Sequence, residues 1–486
     1  MLALNYGTSW NEGFGIPLAA LEKGLAEPSL FHAHARNLVS ASYDAPVASQ
    51  EIFTMLSSPK HSDRRRVSSP LLRGLSMMFL LSNGAFLLSA RSEAAFALHD
   101  GDRVVFYGDS ITQDGGYAAL VEEYCRSRFP TWNLRFYNAG VGGDTVSGGW
   151  AGAIGERLDR DVIRARPTVV TIMLGMNDGG YKKFDAATLA AFADGYRAIV
   201  KRLEESLPGA RIYLIRSSPF DDVSRLPNFE GGYMDVLRRL GDKVADIGRE
   251  NHLQVIDFGS VLASGIEGVF RMNPDRSRQL LPDRVHPSSA GHIVMGATML
   301  RAWQAPAQVS YVEIDANRRE VAVSKNSKVN ALTFDGDKVT WTGLDDSLPL
   351  PLDYNDSNTD LAQLAGADLD SINSEPLVVR GLRPGQYKLK IDDQLVGLFS
   401  DVDLANGVNL ARYNTPMREQ AYPIRWESEG GQGVQRVERQ LLHTAGKDAE
   451  AIAAIAYLIK RDESDQMARS NAGVPKDRHF EVVLLP

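Results

Sequence analysis

Arg103-Val104-Val105-Phe106-Tyr107, running into Gly108-Asp109-Ser110-Ile111-Thr112, is the stretch that decides the fold. The short apolar run reads as a strand buried on both faces, and the small and polar residues after it read as a turn entering a helix. Downstream the same unit recurs. Leu134–Tyr137, Thr168–Leu174, Arg211–Ile215 and Leu253–Phe258 have the composition of buried strands, and amphipathic segments near 116–129, 149–165, 184–206, 231–250 and 288–304 lie between and after them. This β-α alternation predicts an α/β domain over 98–306, with a parallel sheet and helices on both faces. Such sheets carry their chemistry at the carboxyl ends of the strands.

The pattern changes after Pro306. Tyr311-Val312-Glu313-Ile314, Val339-Thr340-Trp341 and Tyr387-Lys388-Leu389-Lys390-Ile391 alternate, with turn signals at Asp335-Gly336-Asp337 and Arg383-Pro384-Gly385. Residues 307–400 are therefore expected to be a β-rich accessory domain. Residues 401–486 read as a mixed, helical region, with one long terminal helix over 436–470.

Upstream, Arg64, Arg65, Arg66 and Arg73 precede an apolar stretch from Leu75 to Leu88, and Ala95-Phe96-Ala97 follows. That is the order of a signal peptide over 55–97, cleaved before Leu98. The competing reading is an uncleaved N-terminal anchor. After cleavage no stable membrane insertion is expected, and the protein is expected to be secreted or periplasmic. A leader does not work behind a long extension, so translation is expected to start at Met55 or Met77, with 1–54 as upstream sequence. Ser9-Trp10-Asn11-Glu12-Gly13-Phe14-Gly15-Ile16-Pro17-Leu18 resembles the sugar-nucleotide motif of retaining glycosyltransferases, but nothing around it builds such a domain.

The 53 basic and 61 acidic residues leave a net charge of −8, which argues against nucleic acid as a partner. The single cysteine, Cys125, rules out an intrachain disulfide and a Cys-rich zinc site, and its helical setting reads as inert packing.

Four βα loops carry candidate chemistry. Ser110 stands at a strand-to-helix turn, where its hydroxyl is exposed and the helix terminus favours negative charge. Asp109 reads as a helix cap or a reactant, with capping the better fit. Asn138-Ala139-Gly140-Val141-Gly142-Gly143-Asp144-Thr145 lets backbone approach a ligand, and its spacing fits neither a P-loop nor a dinucleotide fingerprint. Asn177, in Gly175-Met176-Asn177-Asp178, is able to donate to an oxyanion or simply to make a turn. In Asp283-Arg284-Val285-His286-Pro287, the carboxylate three residues before the imidazole is placed to reach one ring nitrogen while the other faces a serine.

Gly108-Asp109-Ser110, Gly143, Asn177 and Asp283-x-x-His286 together resemble, in order, the four sequence blocks of the SGNH/GDSL hydrolases. The resemblance covers residues 101–304, with Ile111 where many members carry Leu. It implies a flavodoxin-like three-layer α/β/α domain and a Ser110–His286–Asp283 triad. It also implies an oxyanion hole of the Ser110 N–H, the Gly143 N–H and the Asn177 side chain, with no metal and no organic cofactor. Leu404-Ala405-Asn406-Gly407-Val408-Asn409-Leu410-Ala411, followed by Thr415-Pro416-Met417, resembles the tail of some larger bacterial members.

Rival readings remain at other positions. His292 is a second candidate base, but no carboxylate stands three residues before it. Asp353, Asp356, Asp360, Asp368 and Asp370 lack the spacing and the turn glycine of a calcium loop. Trp150, Tyr181, Phe220 and Phe229 fall in or near the loops over the expected site, where they line a sugar subsite or pack a core. The expected partner is a small-molecule or glycan ester, with O-acetylated carbohydrate first. The alternatives are a broad short-chain carboxylesterase or lysophospholipase, or a non-catalytic glycan-binding surface protein.

Overall fold

The computed structural model describes residues 95–444 and 448–486. The expected upstream sequence, 1–54, and the basic and apolar parts of the expected leader lie outside the described residues. Strands β1 (Arg103–Gly108), β2 (Arg135–Gly140), β3 (Val169–Met173), β4 (Arg211–Arg216) and β5 (Gln254–Asp257) form one sheet in the order β2-β1-β3-β4-β5. All its pairings are parallel, the flavodoxin-like order. In register, Gly108 lies opposite Gly140 of β2 and Met173 of β3, so the loops after three strands open at one level.

Helices α1 (Ser110–Asp114), α2 (Gly116–Arg128), α3 (Ala186–Ser206), α4 (Gly232–Glu250), α5 (Phe258–Met272) and α6 (Ser289–Ala302) complete the domain. The α6 helix packs on α2 and α5, while α3 packs on α4, which makes the two outer layers. The expected helix over 149–165 is a broken one, a turn of α-helix at Ile154–Arg157 followed by π and 3-10 turns to Ala165. Its buried Arg157 reaches Asp144, Asp161 and the Ala139 carbonyl, and the irregular turns surround these contacts. Helix α5 lies outside the expected helical segments, because Gly259, Gly265 and Gly268 weaken its helical signal.

Beyond Pro306, strands β6 (Tyr311–Asp315), β7 (Glu320–Lys325), β8 (Ser327–Asp335), β9 (Lys338–Asp345), β10 (Pro376–Arg380), β11 (Gln386–Ile391), β12 (Gln394–Ser400), β13 (Val408–Asn409) and β14 (Arg478–Leu484) form two sheets. Their orders are β8-β9-β14-β11-β12 and β13-β10-β6-β7, and inward residues of both share a core with Trp341, Leu377, Leu389 and Phe480. Trp341 and Phe480 pair across β9 and β14 and stack at 4.9 Å. Strand β14, from the last residues of the chain, sits in the middle of the five-stranded sheet. Leu350, Leu352, Leu361 and Ile372, from the 307–400 stretch, pack in the core of the parallel sheet.

The single terminal helix expected over 436–470 is two helices, α7 (Pro416–Thr444) and α8 (Ala449–Ala472), packed on each other as a hairpin. Asp448 starts the second by accepting the N–H groups of Glu450 and Ala451. Helix α7 lies against α2 and the edge strand β2, so both sides of α2 are covered.

Candidate active site

Asp109 caps α1 by accepting the Ile111 N–H at 3.0 Å, which leaves Ser110 as the first helical residue. The Ser110 N–H is thus one of the helix's unpaired terminal donors and its Oγ lies above the sheet. In the loop after β5 and α5, Asp283 Oδ1 accepts the backbone N–H groups of Val285 (2.9 Å) and His286 (2.7 Å). Asp283 Oδ2 lies 2.6 Å from His286 Nδ1, and His286 Nε2 lies 2.8 Å from Ser110 Oγ. One imidazole thus bridges a carboxylate held by its own loop and a hydroxyl 176 residues away in sequence. Burial pushes the Asp283 carboxyl up, but its bonds to the His286 ring and to two backbone N–H groups outweigh that and hold it below the ordinary value.

The loop after β2 is drawn onto α1. A Cβ at Gly140 would lie 2.2 Å from the Gln113 nitrogen, so no side chain fits there. Gly142 donates its N–H to Gln113 Oε1 at 2.6 Å, and its carbonyl accepts the Trp150 indole N–H at 2.8 Å. Gly143 takes a left-handed φ of +76°, with nothing within 4 Å of where a Cβ would stand. That leaves its backbone beside open space. Asn177 donates from Nδ2 to the Asp144 carbonyl at 3.1 Å, and its Oδ1 accepts the Tyr181 hydroxyl at 3.1 Å. The amide plane is therefore fixed, with one N–H of Nδ2 left over.

Ser110 opens α1 directly after β1, Gly143 and Asn177 lie on the loops after β2 and β3, and Asp283 and His286 lie on the loop that follows α5. The geometry supplies what acyl transfer needs: a hydroxyl, a base oriented by a carboxylate, and donors on neighbouring loops. Beneath it lie the buried Asp109 and the half-buried Asp178. Asp109 is pushed up to about 7 by burial, opposed by the Ile111 N–H and reinforced by Asp178. Asp178 is itself raised to about 6 by burial.

Sequence reasoning missed the supports. Tyr181, which orients Asn177, was read only as a possible sugar-stacking or core aromatic. Asp144 follows Gly142-Gly143 directly and bonds the buried Arg157 at 3.0 Å, and that adjacency was the one available signal. Of the four aromatics, Trp150 (62% exposed) and Tyr181 (44%) face solvent, whereas Phe220 is buried and Phe229 packs against the core.

The rival residues sit elsewhere. His292 is buried in α6 beside Tyr117, and burial, with His286 nearby, pushes its imidazole down to about 4. Cys125 is buried in α2, where burial pushes its thiol up and away from reactivity. Asp356 caps the helix Ser357–Leu364, while Asp360 and Asp370 pair with Arg276 and Arg412. Among the described residues, no group of three or more His, Cys, Asp or Glu is placed to hold a metal ion, and no helix is long and apolar enough to cross a membrane.

Residues 106–294 match the model of the GDSL-like lipase/acylhydrolase family. The chain is 27% identical over 223 residues to an acetylxylan esterase of Geobacillus stearothermophilus, a match spanning 41% of this chain and 93% of that one. A solved structure of a gut microbial diltiazem-metabolizing enzyme is 25% identical. It covers 80% of this chain and 99% of its own, with a TM-score of 0.69, so the likeness extends past the parallel sheet into the C-terminal part.

Proposed function

Because the chain belongs to the SGNH/GDSL hydrolase family and is a carboxylic ester hydrolase, we propose that it removes short acyl groups through an acyl-enzyme on Ser110, with O-acetyl groups of carbohydrates as its substrates. The observation that carries this reading is the unbroken path from Asp283 through His286 to Ser110, at 2.6 and 2.8 Å. His286 Nε2 takes the hydroxyl proton as Ser110 Oγ attacks the acetyl carbon. The resulting oxyanion is held by the N–H groups of Ser110 and Gly143 and by Asn177 Nδ2. Collapse expels the sugar alcohol, which leaves with the proton from His286. Water, deprotonated by the same nitrogen, then attacks the acetyl-serine and releases acetate.

Openness supports a small acyl group. The His286 and Asp283 side chains are 39% and 57% exposed, whereas a long acyl chain needs an apolar tunnel to bury it. The exposed faces of Trp150 and Tyr181 suit a sugar ring. The acetylxylan esterase relative supports the acetyl-glycan assignment. One observation favours a second reading, a broad short-chain esterase: the diltiazem-metabolizing enzyme shares the longer architecture.

The test is a screen of purified protein against p-nitrophenyl acetate, longer p-nitrophenyl esters, acetylated xylan and diltiazem. Acetate release from xylan is expected to lead. In Ser110→Ala every activity is expected to vanish with the thermal transition nearly unmoved, and wild-type turnover in that variant ends the serine-esterase reading.

The same proposal includes export, for which the arginines and the apolar stretch before Ala95 are the support. Mass spectrometry of exported protein is expected to find an N-terminus near Leu98, and residues 1–54 retained on a secreted product would contradict it. Phe96 stacks on Phe129 at 5.5 Å, and the Ala97 N–H donates to Trp303 O at 2.9 Å, so the same measurement reads whether these two residues remain.

A further inference from the structure

Strand β2 lies at the edge of the parallel sheet, where outward N–H and C=O groups need partners. The α7–α8 hairpin provides them with side-chain amides. Gln466 accepts the Phe136 N–H at 3.0 Å and donates to the Phe136 carbonyl at 3.1 Å. Gln435 donates to that same carbonyl at 2.9 Å and accepts the Asn138 N–H at 2.8 Å. Asp462 Oδ2 holds both amide nitrogens at 2.8 Å. Two glutamines on two helices thus take the place of a sixth strand.

The contacts continue past what covering an edge requires. Gln432 Oε1 accepts from Asn138 Nδ2 at 2.9 Å, and that nitrogen also donates to the Thr112 carbonyl of α1 at 2.6 Å. Asn138 Oδ1 in turn accepts the Gly140 N–H at 2.9 Å, and Arg439 Nε donates to the Gly140 carbonyl at 3.2 Å. Gly140 is therefore gripped at both its N–H and its C=O, two residues before Gly142-Gly143. Further along the loop, Trp150, whose indole holds the Gly142 carbonyl, meets the ring of His443 at 5.5 Å, edge to face. His443 Nε2 lies 3.3 Å from Asp161, a partner of the buried Arg157 that secures Asp144.

We propose that the C-terminal helical hairpin is a working part of the esterase site, with Gln432 and Arg439 as positioning residues that hold Gly140, and through it the Gly143 N–H, in place for the oxyanion. This rests on the assignment of Gly143 as an oxyanion donor. A preorganised donor is effective only while its support keeps it from drifting, because displacement by about 1 Å costs on the order of a hundredfold in rate. Partial loosening from the loss of one of two grips costs less.

Gln432→Met and Arg439→Met are each expected to lower kcat for p-nitrophenyl acetate about tenfold, with KM within about twofold of the parent. Arg439→Lys, which keeps a donor for the Gly140 carbonyl, is expected to recover most of the loss. Val437→Ser, on the exposed side of the same helix, is the control and is expected to match the parent. Gln432→Met is close in size to the parent residue and introduces no charge, so it tests the idea even where Arg439→Met fails to fold. Parental kcat in folded Gln432→Met, or an equal loss in Val437→Ser, overturns the proposal. With Ser110→Ala assayed alongside, a dead serine variant beside an unaffected Gln432→Met removes only the hairpin's role. Activity in Ser110→Ala removes the underlying esterase mechanism and the proposal with it.

Discussion

Replacing Asn177 by alanine removes the one proposed oxyanion donor that is a side chain, and the structure sets what else changes. One Nδ2 hydrogen is committed to the Asp144 carbonyl at 3.1 Å, and the Tyr181 hydroxyl holds Oδ1 at 3.1 Å. The remaining N–H is thus aimed before any charge develops, and its benefit is realised in the transition state rather than on the neutral carbonyl. Loss of such a donor costs about 10²–10³ in turnover, or roughly 3–4 kcal/mol. Asn177→Ala is therefore expected to lower kcat by that order while KM moves less than about threefold. Asn177→Asp keeps an acceptor for Tyr181 but turns a carboxylate toward the oxyanion, so it is expected to fall at least as far. Tyr181→Phe leaves the donor but frees the amide, and a loss of about tenfold or less is expected. The assay is initial rates on p-nitrophenyl acetate over a full concentration range, with thermal transitions measured in parallel. A raised KM with kcat spared in Asn177→Ala would make this residue a substrate-binding group and refute the reasoning. A Tyr181→Phe loss as deep as that of Asn177→Ala would shift the donor's role to the tyrosine.

Asp283→Asn removes the carboxylate 2.6 Å from His286 Nδ1, which is proposed to fix the ring's tautomer, and is expected to cost about 10⁴ in kcat. The pH–rate profile should change shape as well as height, and an unchanged profile would count against Asp283 as the orienting group. Asp109 offers a test through stability. Its folded carboxyl is raised from 3.8 to about 7, so the stability it contributes is present below about pH 4 and lost as pH rises through about 7. Asp109→Asn keeps an oxygen for the Ile111 N–H and never ionises. Its melting temperature relative to the parent is expected to climb between about pH 4 and pH 8 and then level off, by an amount on the order of 2–4 kcal/mol in stability. A difference that is flat with pH would show that Asp109 does not titrate in this range.

Much of the molecule was legible from local sequence because its signals are local. Five short apolar runs alternating with amphipathic segments specify a parallel sheet, since strands buried on both faces leave no other composition. Asp283 and His286 were readable as a pair because three residues of one loop suffice to bring them together. Asp109 was readable as a cap because capping is a two-residue affair. What spans the chain was not written in any window. The 2.8 Å approach of Ser110 to His286 depends on the order β2-β1-β3-β4-β5, which brings the ends of distant strands to one side of the sheet. Nothing in the local sequence marks Gln432, Gln435 and Gln466, and only tertiary packing turns them into partners for an edge strand. Strand β14, starting at Arg478, enters the middle of a sheet begun at Ser327 because its register with β9 and β11 satisfies backbone groups that no local pattern could anticipate. Local chemistry is specified by neighbours in sequence. The approach of His286 on one loop to Ser110 at the end of a distant strand is settled by which backbone edges and apolar faces find each other in the folded chain.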